Sequence, residues 1–434
     1  MRTWQAIVVT SVLSTTAVAG NVIVVGNGPG QFASLQDAVT VADDGDVVLV
    51  KIAGPFGSVR VQDKSVAIVN ATGGTVQLNG ALRVNNLAAS RSVVLAGLNV
   101  TGTVSTTLPE LGAGLRATAC LGSVVAQDCT FTGGSSVGTT CNPVAPSHGV
   151  ELLSSASVAL TRCTITGGHG NSSYGQVPNE HPVQQGSGVR ASTGSLVSLD
   201  TVTVSGGSGG STCNSYQDGT HGGLGISLSN SSLFVCGSNV SGGAGSSPGG
   251  TVTGALVGSG GSGIDGQLVP ASPVVSLAST VVGGLAGPPY FWCGLCASCC
   301  DGSPGSVTSG PLTLQTLAGA AKRLSGPSLV RDDETPEFRV DASPGERVEI
   351  AVSRAPTYQV DAGSGCILHV KDPNWIIVGL VPAGGNNVKR RYHMPDLPVT
   401  SPGQVFHVQA RVTSTTGVRR LTNVQAVVLV DAAY

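Results

Sequence analysis

Apolar residues in this chain fall in short alternating runs, each closed by glycine, and the runs recur. Five segments, 114–134, 149–168, 188–207, 225–243 and 263–284, share one order: Gly, apolar, variable, small or apolar, a short turn, two strand-like alternations, then Gly or Gly-Gly. Each unit is 19 to 22 residues long, and spacers of 14 to 19 residues separate them. One column reads Val100, Phe131, Ile165, Val204, Val240, Val281. Two residues earlier stand Leu98, Cys129, Cys163, Val202, Ser238 and Ser279, and after the opening Gly stand Leu115, Val150, Val189, Ile226 and Ile264. Polar positions lie between these columns, as the period of two of a strand requires. A unit this short cannot bury its inner face alone, so the columns predict rungs stacked about 4.8 Å apart, like residue on like. A propeller blade would need four antiparallel strands and their hairpins, for which the unit is too short.

The ends of the chain read differently. Val22–Val25 predicts a strand, and Phe32, Leu35, Ala38, Val39 and Ala42 fall at helical spacing behind Ser34, with Asp37 three residues on as a capping box. Asp44-Gly45-Asp46 then turns the chain into Val47–Val50, and 58–102 supply two or three further rungs. A short helix there would protect an otherwise open sheet edge. Near residue 310 the glycine repeat stops, and charged residues rise from about 7% to about 19%. Val348–Val352, Cys366–Val370, Trp375–Val381, Val405–Val412 and Val424–Val430 read as strands between Pro/Gly turns. They predict a β-sandwich of about seven strands.

The run from Gly26 to Lys51, GNGPGQFASLQDAVTVADDGDVVLVK, resembles the N-terminal cap and first strand of pectin-lyase-like right-handed parallel β-helix proteins. With the rungs behind it, the resemblance covers about residues 21–309. It implies an all-β chain: a right-handed parallel β-helix over 20–309 with a short capping helix, followed by a β-sandwich-like domain over 310–434. That superfamily holds lyases, hydrolases, adhesins and proteins of no known chemistry, so the resemblance speaks for fold and leaves activity open.

Composition sharpens the setting. Arg2, the apolar or small stretch Ala6–Val18 and the small-x-small Ala17-Val18-Ala19 predict a secretory signal over 1–19, and no later run of about 20 apolar residues could span a bilayer. The expected location is secreted or cell-surface, extracellular or periplasmic. With a net charge of -2 and no cationic run longer than Lys389-Arg390-Arg391, nucleic acid is an unsuitable partner. Eleven cysteines in an exported chain predict disulfides, with Cys120, Cys141, Cys213, Cys236, Cys293, Cys296, Cys299 and Cys300 as candidates. Cys129 and Cys163 share an inward column instead, where a thiol serves as a small hydrophobe.

Candidate chemistry centres on the strand after each spacer, whose outward column reads Arg116, Glu151, Arg190, Ser227, Asp265. His148, in Ser147-His148-Gly149-Val150, resembles the Gly-His-Gly-Ile segment of polygalacturonase-type hydrolases, which would make it a catalytic histidine. The acidic and Arg-Ile-Lys segments of those enzymes have no counterpart here, and Glu151 and Asp265 stand three rungs, roughly 14 Å, apart, beyond the 6.5–9.5 Å of an inverting pair. A lyase would use Arg116 or Arg190 as base beside acidic calcium ligands; Asp128 and Asp200 sit on other strands, and Asp128 is one rung from Arg162 as a structural pair. The spacers bring His169, Tyr174, Glu180 and His181, then Cys213, Tyr216, Asp218 and His221, which could share a composite pocket. The leading expectation is an exported scaffold, non-enzymatic, that contacts glycans or other surface components through its inter-rung loops, without cofactor or metal. The alternative is a polysaccharide lyase or hydrolase acting on uronate-containing glycans through His148, Glu151, Arg190 and Arg116, with calcium if a lyase.

Overall fold

The computed structural model describes residues 20–104, 112–136, 146–170, 185–210, 219–247, 257–267, 271–288, 302–361, 363–392, 397 and 402–434. The expected leader, Tyr174, Glu180, His181, Tyr216, Asp218 and six of the candidate disulfide cysteines (Cys141, Cys213, Cys293, Cys296, Cys299, Cys300) lie outside them.

From Val22 to Leu317 the chain coils through three parallel sheets of ten, eight and seven strands. A rung such as 115–132 places Leu115–Thr118 in the eight-stranded sheet, Ser123–Gln127 in the ten-stranded and Thr130–Thr132 in the seven-stranded one. Val100, Phe131, Ile165, Val204, Val240 and Val281 are successive register partners, and so are Leu115, Val150, Val189, Ile226 and Ile264. This is a right-handed parallel β-helix, the sense in which parallel crossovers pack back on a twisted sheet. The helix Leu35–Val41 closes its N-terminal mouth with Leu35, Ala38 and Val39 buried, and Ser34 caps it by accepting from the Asp37 amide. Lys64 satisfies carbonyls at its other end, those of Val39, Thr40 and Ala42.

Two corners of each rung are tight. Ala119, Ser154, Thr193 and Asn230 turn the chain from the eight- to the ten-stranded sheet at φ of 48 to 58°. Asp128, Arg162, Thr201 and Ala278 turn it into the seven-stranded sheet at φ of 47 to 56°. A left-handed non-glycine at each corner, costing roughly 1–2 kcal/mol, reverses the direction within a few residues.

The third corner departs from the expectation of plain loops. Where the spacers are described, they leave and re-enter the solenoid as paired extended arms. Along the outgoing arm every third amide donates to the next rung: Gly206 to Ser241 and Gly209 to Ala244, then Gly242 to Val282 and Gly245 to Leu285, at 2.8 to 3.1 Å. The residue after each first donor bonds across to the incoming arm. A relay of amide–carbonyl bonds runs Gly168 to Ser147, Gly186 to Gly168, Gly207 to Gly186, Gly223 to Gly207, Gly243 to Gly223, Gly261 to Gly243, Gly284 to Gly261 and Gly305 to Gly284, all 2.7 to 3.2 Å. A period of three without internal hydrogen bonds is that of the extended polyproline II type of helix. The arms form a fin cross-linked through backbone alone, and its backbones touch. A Cβ on Gly207 would lie 1.9 Å from the Gly168 carbonyl oxygen, and one on Gly284 would lie 1.9 Å from that of Gly243.

The parallel stack continues past residue 310, through Leu312–Leu317. Beyond it, a five-stranded sheet (329–331, 419–430, 403–413, 347–353, 376–380) faces a three-stranded one (324–325, 337–341, 387–391) across a core of Phe338, Val340, Val348, Ile350, Val412 and Leu429. This is the expected β-sandwich-like unit, but it is not a free appendage. Its strand Arg419–Val430 lies on the outer face of the ten-stranded sheet, where Val424, Ala426, Val428 and Val430 pack on Val47, Ala67, Val94, Val125 and Ala159. Strands such as Asp46–Val50 and Ser123–Gln127 are therefore buried on both faces, and such strands read as near-continuous apolar runs. Gln127 clasps the docked strand: its Nε2 donates to the Ala426 carbonyl at 2.6 Å, and its Oε1 accepts from the Ala426 amide at 2.9 Å. Gln127→Leu leaves that buried amide unpartnered, so urea denaturation should show a loss of about 1–3 kcal/mol. An unchanged midpoint would mean the clasp is idle.

Two of the disulfide candidates are corrected. Cys120 and Cys236 are free and buried, like Cys129, Cys163 and Cys366. Cys120 points into the solenoid between the carbonyls of Val84 and Thr118. Cys236 lies beneath the docked unit with Phe234, Leu277 and Ile367. Burial raises both thiols, so neither is a ready thiolate.

Candidate functional site

The eight-stranded sheet presents its outer face free of the C-terminal unit. Period-two alternation sends every second side chain outward, and the parallel register stacks them into one column: Arg60, Arg83, Arg116, Glu151, Arg190, Ser227, Asp265, Ser309. The sequence reading began this column at Arg116 and missed its first two members. Their signal is Val59-Arg60-Val61 and Leu82-Arg83-Val84, the same apolar–Arg–apolar triplet as Leu115-Arg116-Ala117.

The four predicted site residues do converge. Glu151 sits between two guanidiniums, with Arg116 Nε 3.4 Å from one carboxylate oxygen and Arg190 Nη1 3.9 Å from the other. His148 lies against Arg190, its Nε2 3.3 Å from Nη1, while its Nδ1 accepts the Ser187 amide at 3.0 Å. Burial, then the Arg190 charge, lowers His148 to about 4. At neutral pH the ring is uncharged, its one lone pair is spent on Ser187, and its proton faces a cation. That arrangement is unsuited to a general base. Three register steps separate Glu151 from Asp265, by way of Arg190 and Ser227. At about 4.8 Å per step these two carboxylates cannot act on one glycosidic bond.

The remaining candidates are dispersed. His169 and His221 repeat the role of His148 along the fin, each accepting at Nδ1 from the amide of a serine one rung on, Ser208 at 2.9 Å and Ser259 at 3.0 Å. Asp128 and Arg162 form the expected structural pair, two-pronged at 2.7 and 2.8 Å. Asp200 lies on the buried outer face of the ten-stranded sheet, one register step from Cys236. Burial raises its carboxyl to about 6. Among the described residues no group of three His, Cys, Asp or Glu side chains is placed to hold a metal ion.

The three stacked parallel sheets define the class as a right-handed parallel β-helix. No family model matches the chain, and no curated protein sequence matches it. Among solved structures it is similar to the enzymatically active domain of tailspike protein 2 of bacteriophage CBA120, at 11% identity and a TM-score of 0.27, over 96% of this chain and 77% of that one. A tailspike protein of Acinetobacter baumannii phage AM24 gives 10% identity and a TM-score of 0.13, over 91% and 78%. Likenesses this distant carry nothing about chemistry.

Proposed function

We propose that this chain is an exported scaffold that binds acidic polysaccharide along the arginine column without cleaving it. One observation carries the reading: Arg60, Arg83 and Arg116 are consecutive register partners on a free face. A column of guanidiniums one rung apart repeats the same donor set along the axis at the spacing of the strands. A uronate polymer laid along the axis presents carboxylates in a row, and guanidiniums bind carboxylates two-pronged. Glu151 divides the column by engaging Arg116 and Arg190.

Affinity electrophoresis in gels containing polygalacturonate, alginate or neutral dextran tests this. Retardation is expected in the two acidic gels alone, weakening with salt. Arg83→Glu and Arg116→Glu should each weaken it by ~10-fold or more. Equal migration in all three gels, or unsaturated uronate products accumulating on incubation with calcium, would remove the proposal.

A further inference from the structure

The three sheets of the solenoid carry three different outer faces. The ten-stranded one lies under the C-terminal unit, and the eight-stranded one bears the arginine column. On the seven-stranded one, the outward positions from Val76 to Val282 hold neither a charge nor an aromatic ring. Three neighbouring rungs repeat one pattern there: Thr130 and Thr132 flank buried Phe131, Thr164 and Thr166 flank Ile165, and Thr203 and Ser205 flank Val204. They are register partners, so the outward side chains stand in two parallel columns. Rungs Leu98–Thr101 and Asn239–Ser241 continue both columns with Asn, Thr and Ser. Thr164, Thr203 and Asn239 are exposed. Ser205 Oγ reaches Thr166 Oγ1 at 3.4 Å, while among the described residues the hydroxyls of Thr130, Thr132, Thr164 and Thr203 bond to no protein group.

The geometry points to ice as the ligand of this face. Members of one column stand a rung apart and the two columns two residues apart, an array of about 4.8 by about 6.7 Å. In a tetrahedral net of water bonded at about 2.75 Å, second-neighbour oxygens stand about 4.5 Å apart, and the net repeats every ~7.3 Å along its axis. The mismatch of roughly 0.3 Å per rung sums to less than half a period across these five rungs. Threonine suits the task, because β-branching holds χ1 stiff and sets the array before the ligand arrives. Its hydroxyl both donates and accepts, as each water of the net does. A charge would orient water around itself and break that order, and the face has none. A sugar polymer would seek rings to stack on, and those are missing too. The arginine column points from another sheet, so the two readings stand or fall separately.

Partition of the full chain into a slowly growing ice front, beside a reference protein of similar mass, tests the inference. Enrichment in the ice fraction is expected for this chain, and exclusion for the reference. Thr164→Lys and Thr203→Lys each plant a long charged side chain in the middle of the array and should cut the enrichment ~10-fold or more. Leu121→Lys, at an exposed corner off this sheet, should leave it unchanged. Circular dichroism identifies a variant that does not fold, and the other then decides. Exclusion of the intact chain from ice, enrichment that survives in a folded Thr164→Lys or Thr203→Lys variant, or an equal loss in Leu121→Lys would each overturn the inference.

Discussion

Replacing Gly207 with alanine is expected to cost the protein more than about 4 kcal/mol, in the range where a domain of ordinary stability no longer folds. The methyl carbon would sit 1.9 Å from the carbonyl oxygen of Gly168, and the neighbouring atoms are backbone, so no rotamer change can make room. Gly207 also stands in the middle of the relay, donating to Gly186 and accepting from Gly223. Parting the arms to admit a methyl group would break both bonds, and neighbouring rungs share the same spacing. Gly194→Ala is the comparison. Gly194 has a φ of 76° but nothing within 4 Å of its missing Cβ, so that change should cost only the roughly 1–2 kcal/mol of a left-handed alanine. Urea denaturation followed by far-ultraviolet circular dichroism separates the two. If Gly207→Ala unfolds no earlier than Gly194→Ala, the arms are not in backbone contact.

The second large effect is acid lability of the docked unit. His369 and His407 lie buried in the C-terminal unit, and the ring nitrogens of His407 have no hydrogen-bond partner. Burial lowers His369 to about 3, helped by the neighbouring His407, and lowers His407 to about 4. Both rings are neutral in the fold, whereas the unfolded chain protonates them near 6.5. The unfolded state thus binds more protons between about pH 6.5 and 4, and stability rises with pH across that window. The stabilisation is whole above 6.5 and drains as pH falls through it, by up to about 1.4 kcal/mol per unit for each ring. Asp200 works the other way. Its carboxyl is raised to about 6, so its burial penalises the fold at neutral pH and is relieved as pH falls from 6 towards 4. With His148, also lowered to about 4, three rings against one carboxyl leave a net loss on acidification. Melting temperature measured from pH 7 to 4 should fall, and His407→Phe should flatten the slope by removing one titration. An equally steep slope in that variant would show that the ring does not carry the effect.

The solenoid was legible in the sequence because its code is local and repeated. Phe131, Ile165 and Val204 stand at equivalent distances from their glycines, so the register could be read without knowing any contact. The capping helix was equally plain, since Ser34 and the apolar spacing behind it are near neighbours. The strands after 340 were legible from their own alternation, yet nothing local says where their sheet lies. Gln127 and Ala426 meet across 299 positions, and neither sequence context announces the other. The double-sided burial was written in the unbroken apolar run Val47–Val50, which was read only as a strand. The glycine arms were visible only as the closing glycines of the units and the spacers between them, and their order depends on a period of three shared between two arms that run past each other. At the site, Arg116, Glu151 and Arg190 were legible as one outward column, and His148 entered through its resemblance to a hydrolase segment. The Ser187 amide that holds the His148 ring was not legible, because it is a backbone group that every residue but proline possesses.

The docked sheet has a consequence for how the molecule comes into being. Synthesis delivers the solenoid first, and rungs that need only their predecessors can form as they emerge. The wall made by Val47, Ala67, Val94, Val125 and Ala159 then waits, greasy and bare, for a strand some three hundred residues behind Gln127. Through that interval the nascent coil depends on a holding chaperone or on rapid completion of the chain. A ribosome that stalls late leaves a sticky half-molecule.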